Sequence, residues 1–132
     1  MIHAHRSFAE FKRDGCTQLV GKSVRLSPKA RAADWIATTA GGCGWAAASA
    51  PIWVVHQTAG APTVVLDMHG YDVTLGNTTK NGLRHLAIAA GTAGWYSEKL
   101  LKYDGTKYVV ARSRDVDLSN PVECQRNKDI CP

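Results

Sequence analysis

A nucleophilic triad could be assembled from a serine, a histidine and an aspartate of this 132-residue chain. Ser97, His85 and Asp104 are the candidates, since a triad needs a nucleophile, a base and a group that orients the base. The serine, however, does not lie in the Gly-x-Ser-x-Gly turn that exposes such a nucleophile. Any chain of similar size offers these residue types. We therefore predict no catalytic residues and a protein that is not an enzyme.

Carboxylates and glycine-rich loops give no stronger sign of catalysis. Asp67 and Asp72 flank an expected turn, and Glu98 lies alone on an expected strand, whereas glycoside hydrolysis needs two facing carboxylates. The glycine-rich segment 41–44 is not followed by the Lys-Ser/Thr pair of a phosphate-binding loop. We expect no cofactor.

Histidines and cysteines are the residue types that could bind a transition metal. His56, on an expected strand, and His69, in an expected turn, could do so only if the fold brought them together. The simpler interpretation is one histidine at the edge of the core and one in a turn. No two cysteines form the CxxC pair of a zinc site, so the sequence predicts no metal centre.

The four cysteines, Cys16, Cys43, Cys124 and Cys131, are an even number at wide spacing, which suits two disulfides. Three connectivities are possible, and the most economical joins Cys16 to Cys43 and Cys124 to Cys131. On the chain-entropy model these bonds would stabilise by about 3.6 and about 2.5 kcal/mol. Oxidised cysteines imply a periplasmic or extracellular protein, whereas four buried free thiols would suit a cytosolic one.

The first residues of the chain and its long uncharged run bear on export and on membrane insertion. Residues 1–6 are polar and lack an apolar h-region, so no signal peptide is visible and we expect the mature form of an exported protein. The uncharged run 35–66 is interrupted by glycine and proline, which divide it into strand-sized pieces. We therefore expect a protein that does not span a membrane.

Aromatic residues beside glycine-rich loops are candidates for contacting a partner. Trp45 lies in one such loop, and Trp95 and Tyr96 directly follow another. Glycine lets the backbone present such side chains, and Trp and Tyr dominate interface energetics. The alternative is that all three fill the core. Trp35 and Trp53 are predicted core residues.

The net charge of +5 is unevenly distributed, with +4 in residues 1–34 and +5 in residues 80–114. A basic surface attracts anionic partners such as acidic proteins, lipid head groups or nucleic acid. A basic stripe on neighbouring strands could contain Arg84, Lys99, Lys102 and Lys107. Lysines on strands also protect sheet edges from aggregation, which is the alternative interpretation.

Two turn dipeptides, Asn81-Gly82 and Asp104-Gly105, indicate consecutive antiparallel strands. Segments rich in β-branched and aromatic residues lie around them. We predict a mainly β fold, an antiparallel meander, sandwich or small barrel of six or more strands, with a short N-terminal helix over 7–13. The predicted strands are 22–27, 33–39, 52–58, 63–68, 71–75, 83–90, 95–103 and 107–112. Residues 33–39 also suit a helix, but the glycine-rich segment 41–44 that follows favours a strand.

We expect one domain over residues 1–132. Its parts are a helical arm over 1–15, a β core over 22–112 and an irregular tail over 113–132 that is held by a disulfide.

Residues 40–112 resemble small uncharacterised bacterial envelope proteins, which are exported and β-rich. The shared pattern is Cys43-Gly44, Pro51-Ile52-Trp53-Val54, Asn81-Gly82-Leu83-Arg84-His85-Leu86 and Tyr103-Asp104-Gly105-Thr106-Lys107-Tyr108. A second cysteine often present before the Pro-x-Trp element is replaced here by Ser49 or Ala50. The resemblance therefore favours a more distant partner for Cys43.

The Asn-Gly-x-Arg-x-Leu element is also distantly similar to one FG-GAP propeller repeat. Such repeats bind calcium through acidic side chains, but the loop 77–81 contains no carboxylate and includes a lysine. A propeller also needs several blades, and one copy cannot supply them.

Together these observations predict an exported, non-enzymatic binding module, such as an inhibitor or an immunity-type protein, that docks a protein partner through loops. The alternative is a protein that binds an anionic surface, envelope lipid or nucleic acid, through basic strands. A minimal hydrolase is the third hypothesis.

Overall fold

The computed structural model describes residues 2–29, 33–46, 49–58, 60–92 and 94–131. Two four-stranded antiparallel sheets form the fold, and their strands follow the order of the chain. The first sheet contains β1 (Leu19–Val24), β2 (Asp34–Thr39), β3 (Ala50–Gln57) and β4 (Pro62–Gly70). The second sheet contains β5 (Asp72–Lys80), β6 (Leu83–Thr92), β7 (Trp95–Tyr103) and β8 (Tyr108–Asp117).

The helices are short and lie near the two ends of the chain. Helix α1 covers Ala9–Arg13 and α2 covers Pro121–Arg126, and 3-10 turns cover Ile2–Ala4, Arg6–Phe8 and Ala40–Gly42. None of the helices in the described ranges is long and apolar enough to cross a membrane.

One hydrophobic cluster is shared by the two sheets. It joins apolar side chains of β2, β3 and β4 to those of β6, β7 and β8, because each strand turns alternate residues toward the opposite sheet. Its fully buried members include Val54, Leu86 and Leu101.

A second cluster lies on the other face of the first sheet. Phe8 and Phe11 of the helical arm meet the buried Trp53 edge-on, with ring centroids 5.7 and 5.6 Å apart. Trp53 Nε1 also donates a hydrogen bond to Ser7 Oγ at 2.8 Å. Strand β3 is therefore buried on both faces, as its run of consecutive apolar residues predicts.

The mainly β prediction is confirmed, and eight strands satisfy the expected six or more. The two sheets do not close into a barrel, so the barrel alternative is wrong. The expected irregular tail is also corrected, because β8 continues to Asp117 and α2 follows. Asn120 begins that helix by accepting hydrogen bonds from the N–H groups of Val122 and Glu123, with Pro121 in its first turn.

Trp35 differs from its predicted core position. It lies on the same face as Val55, but 46% of its surface is exposed. The aromatic residues of the arm contact Trp53 instead, which leaves the Trp35 indole uncovered.

Two disulfides join Cys16 to Cys43 and Cys124 to Cys131, which confirms the most economical pairing. The first ties the helical arm to the loop that follows β2, and the second closes the segment around α2. Two disulfides are compatible with an oxidising, exported location.

Candidate binding cleft beside Trp45

An apolar cleft of about 350 Å³ lies between the β1 side of the first sheet and the corner that leads from β4 into β5. Val20 of β1, Ile36 of β2 and Ile52 of β3 form its floor, and the corner between β4 and β5 forms its far wall. Trp45 and Tyr71 stand at the rim with 46% and 51% of their surfaces exposed. The feature is hereafter called the Trp45 cleft.

The Trp45 indole is held in place although almost half of it is exposed. Its Nε1–H donates to Thr39 Oγ1 at 2.9 Å, and the Thr39 hydroxyl donates to the Cys43 carbonyl at 2.6 Å. Thr39 is fully buried, and Cys43 is bonded to Cys16. A large side chain that is ordered before binding loses little conformational entropy on binding, which favours affinity.

Thr38 is a polar residue in the lining of the Trp45 cleft. Its hydroxyl oxygen is buried and has no hydrogen-bond partner among the residues that the structure describes. Buried hydroxyls are normally paired, because an unpaired one loses its hydration without compensation. Because that oxygen has almost no accessible surface, a ligand in the cleft would not contact it in this conformation.

Charged residues stand at opposite sides of the Trp45 cleft. Lys22 of β1 lines the near side and Asp72 of β5 lines the far side. Arg25 and Lys29 follow β1, and residues 17–29 contain no carboxylate. Lys22 is therefore the basic residue of the cleft lining, and Arg25 and Lys29 add positive charge beyond the end of β1.

The other two predicted aromatic anchors lie outside the cleft lining. Trp95 begins β7 and is 54% exposed. Tyr96 is half-buried, and its hydroxyl donates to Glu98 at 2.9 Å. Burial of the hydroxyl is the larger cause, and this hydrogen bond the smaller one, of a rise in the pKa of Tyr96 to about 12. Glu98 also pairs with Arg114 at 3.3 Å, so Tyr96 belongs to a polar network on the second sheet.

The predicted basic stripe is divided between two faces. Lys99 is paired with Ile88, a core residue, so it lies on the core-facing side of the sheet. Lys102 follows the buried Leu101 and points to the opposite side.

Arg84 is engaged with the backbone of its own sheet. One of its guanidinium nitrogens donates to the Gly76 carbonyl at 3.3 Å, and its Nε is buried without a partner among the described residues. Its own carbonyl accepts the Tyr108 hydroxyl at 2.8 Å. These contacts make Arg84 a structural residue.

The residues considered for a triad have separate partners. His85 Nδ1 lies 2.9 Å from Thr78 Oγ1, while Asp104 accepts the N–H groups of Thr106 and Lys107 at 2.8 Å in the hairpin turn. The two histidines considered for a metal are likewise apart. His69 pairs with Pro51 on β3, five residues before His56.

The buried pair formed by Asp34 and His56 was not predicted from the sequence. Asp34 is 1% exposed, and its Oδ1 lies 2.8 Å from His56 Nδ1. The same carboxylate accepts the N–H groups of Gln57 at 2.9 Å and Leu26 at 3.2 Å. This arrangement ties β2, β3 and the turn after β1 together, and no local pattern connects residues so far apart in the chain.

Comparisons with protein-family models, with curated proteins and with solved structures found no match for this chain.

Proposed function

We propose that this protein is an exported, non-enzymatic binding module that docks a protein partner through the Trp45 cleft, as an inhibitor or immunity-type protein would. The observation that carries the proposal is the fixed, half-exposed indole of Trp45 at the rim of an apolar cleft. Hot spots of protein interfaces are enriched in Trp and cluster around such desolvated pockets. The disulfide beside the cleft supports both the rigidity of the site and the exported location.

Two tryptophans of equal exposure allow a controlled test. Trp45 and Trp35 are each 46% exposed, but Trp35 lies on the opposite face of the first sheet. The oxidised protein and the variants Trp45→Ala and Trp35→Ala would be immobilised and exposed to envelope extract and culture fluid from the host. Circular dichroism would establish that each variant is folded.

The expected result is one stoichiometric protein that survives a high-salt wash on the wild type and on Trp35→Ala. Truncation of a hot-spot tryptophan costs about 2–4 kcal/mol of binding free energy, so Trp45→Ala should lose roughly 30-fold or more in affinity. Equal retention by the two variants, or no partner at high salt, would contradict the proposal.

A second candidate function, binding to an anionic surface, is favoured by the basic residues around His85. Burial and the nearby ammonium groups of Lys102 and Lys80 lower the pKa of His85 below its ordinary value. These cations therefore gather on one part of the second sheet.

Sedimentation with anionic and neutral vesicles, at several salt concentrations, tests this second function. Binding that falls steeply with salt and is weakened by Lys102→Ala, but not by Lys107→Ala in the hairpin turn, would support it. Binding that is independent of salt would exclude it.

A further inference from the structure

We infer that the partner binds by adding an extended, acidic segment to the open edge of β1, with one aromatic side chain in the Trp45 cleft. This inference rests on the proposed function and specifies the chemistry of the partner. Addition of a strand to a sheet edge is a common mode of peptide recognition, in which backbone hydrogen bonds give affinity and pockets give specificity.

Among the residues that the structure describes, no strand pairs with the outer edge of β1, and this edge is regular. β1 is the first strand of its sheet and pairs with β2 along its whole length, and residues 20–23 are exposed. Ala40 N–H donates to the Gln18 carbonyl, so these two residues are a hydrogen-bonded pair. Along an antiparallel pair of strands, residues that bond to the partner strand alternate with residues that do not. The backbone groups of Val20, Lys22 and Val24 therefore point toward β2, and those of Leu19, Gly21 and Ser23 point outward.

The other three sheet margins are less suitable for an added strand. At the end of β4 the chain turns into β5, where Tyr71 N–H donates to the Ala89 carbonyl. β5 has an irregular register between Leu75 and Thr79. The end of β8 is occupied by α2, because Glu123 accepts the Asp117 N–H.

The Trp45 cleft lies directly beside the edge of β1. Val20, which is 52% exposed, and Lys22 turn their side chains toward the cleft. A strand added next to β1 would lie about 4.8 Å away, so its alternate side chains would enter the same cleft. An aromatic side chain would pack against Trp45 and the apolar lining of the cleft.

Charge indicates an acidic segment. β1 and the turn after it contain Lys22, Arg25 and Lys29 without a carboxylate in residues 17–29. Opposite charges on neighbouring strands attract, and like charges repel. Lysine at a sheet edge can also serve only to prevent aggregation, and that role would exclude binding of any strand-forming peptide.

The probe is a synthetic seven-residue peptide that alternates aspartate or glutamate with valine and carries one central tyrosine. Binding to the oxidised full chain would be followed by NMR of the backbone amides. The expected result is slowed hydrogen exchange at Leu19, Gly21 and Ser23. Methylation of those peptide nitrogens that face β1 should weaken binding roughly tenfold, the cost of about one hydrogen bond, and methylation of the others should not.

A matched pair of variants tests the edge itself. Ser23→Pro removes an outward N–H and leaves the bonds to β2 in place, whereas Ser23→Ala keeps that N–H. Thermal unfolding would establish that both variants fold. We expect roughly tenfold weaker peptide binding for Ser23→Pro and unchanged binding for Ser23→Ala.

The peptide and variant experiments have three outcomes that would contradict strand addition to β1. No binding of the acidic peptide, equal binding of a lysine-substituted version, or equal affinities of the two Ser23 variants would overturn strand addition. These outcomes leave the capture experiment with Trp45→Ala and Trp35→Ala unaffected, so failure of the inference is distinguishable from failure of the proposed function.

Discussion

Replacement of Asp34 by alanine is expected to destabilise the protein strongly. The change removes the acceptor of three hydrogen bonds, from His56 Nδ1 and from the N–H groups of Gln57 and Leu26. Leu26 is fully buried, so its N–H would have no water to replace the carboxylate, and His56 is largely buried. Gln57 is exposed and its N–H can be rehydrated.

The size of the expected loss of stability follows from how deeply each donor is buried. A buried donor left unpaired costs about 1–3 kcal/mol, and the change leaves two such donors, the Leu26 N–H and the His56 ring nitrogen. We therefore expect Asp34→Ala to lower the free energy of unfolding by about 2–6 kcal/mol. Asp67→Ala is the matched control, since Asp67 is exposed and lies 4.0 Å from His5, and its expected effect is below about 0.5 kcal/mol.

Urea unfolding with intact disulfides, followed by tryptophan fluorescence, measures both variants. The slope of the free energy against urea should stay unchanged, so the shift in midpoint reports stability. A loss below about 1 kcal/mol for Asp34→Ala, or equal losses for the two variants, would refute the structural role assigned to Asp34.

Further predictions concern a sheet corner and a histidine. Gly70→Ala should lower stability by about 1–3 kcal/mol in urea unfolding, because the added carbon would lie 2.6 Å from Ile88 and 2.8 Å from the Ala89 carbonyl oxygen. Gly60→Ala should be neutral or slightly stabilising, because a carbon added there meets nothing within 4 Å. A larger loss of stability for Gly60→Ala than for Gly70→Ala would contradict the close packing at the corner. Lys102→Ala should raise the pKa of His85 in an NMR titration, because one cause of its lowered value is removed. An unchanged His85 pKa would show that the lysine is distant.

The lowered pKa of His85 also determines how stability depends on pH. A histidine whose pKa is lower in the folded protein binds fewer protons there than in the unfolded chain. Its protonation therefore opposes folding, and stability decreases as pH falls through the ordinary histidine range.

Much of the strand pattern could be predicted because it depends on local chemistry. Asn81 and Gly82 have positive φ angles of 52° and 86°, as their turn dipeptide predicts, and Trp95–Tyr103 is a strand with the predicted bounds. The buried faces of β3 were equally readable, since consecutive apolar residues leave no solvent-facing side.

The features that were missed depend on contacts between distant residues. The exposure of Trp35 is set by where the helical arm packs, and the Asp34–His56 pair is set by strand register. Helix α2 had a local signal that was overlooked, namely Asn120 followed by Pro121.

The candidate site was predictable only in part. The glycine-rich loop indicated Trp45, but Val20 and Tyr71 come from segments that show no sign of shared function in the sequence. The cleft exists because the edge of one sheet meets the corner leading into the other. The sequence periodicity of single strands does not encode that arrangement.

The most direct test of the central claim is the affinity of the captured partner for Trp45→Ala relative to Trp35→Ala, measured at high salt on folded proteins. The account predicts that Trp35→Ala binds like the wild type and that Trp45→Ala binds roughly 30-fold or more weakly. Equal affinities of the two variants would contradict the assignment of the Trp45 cleft as the docking surface.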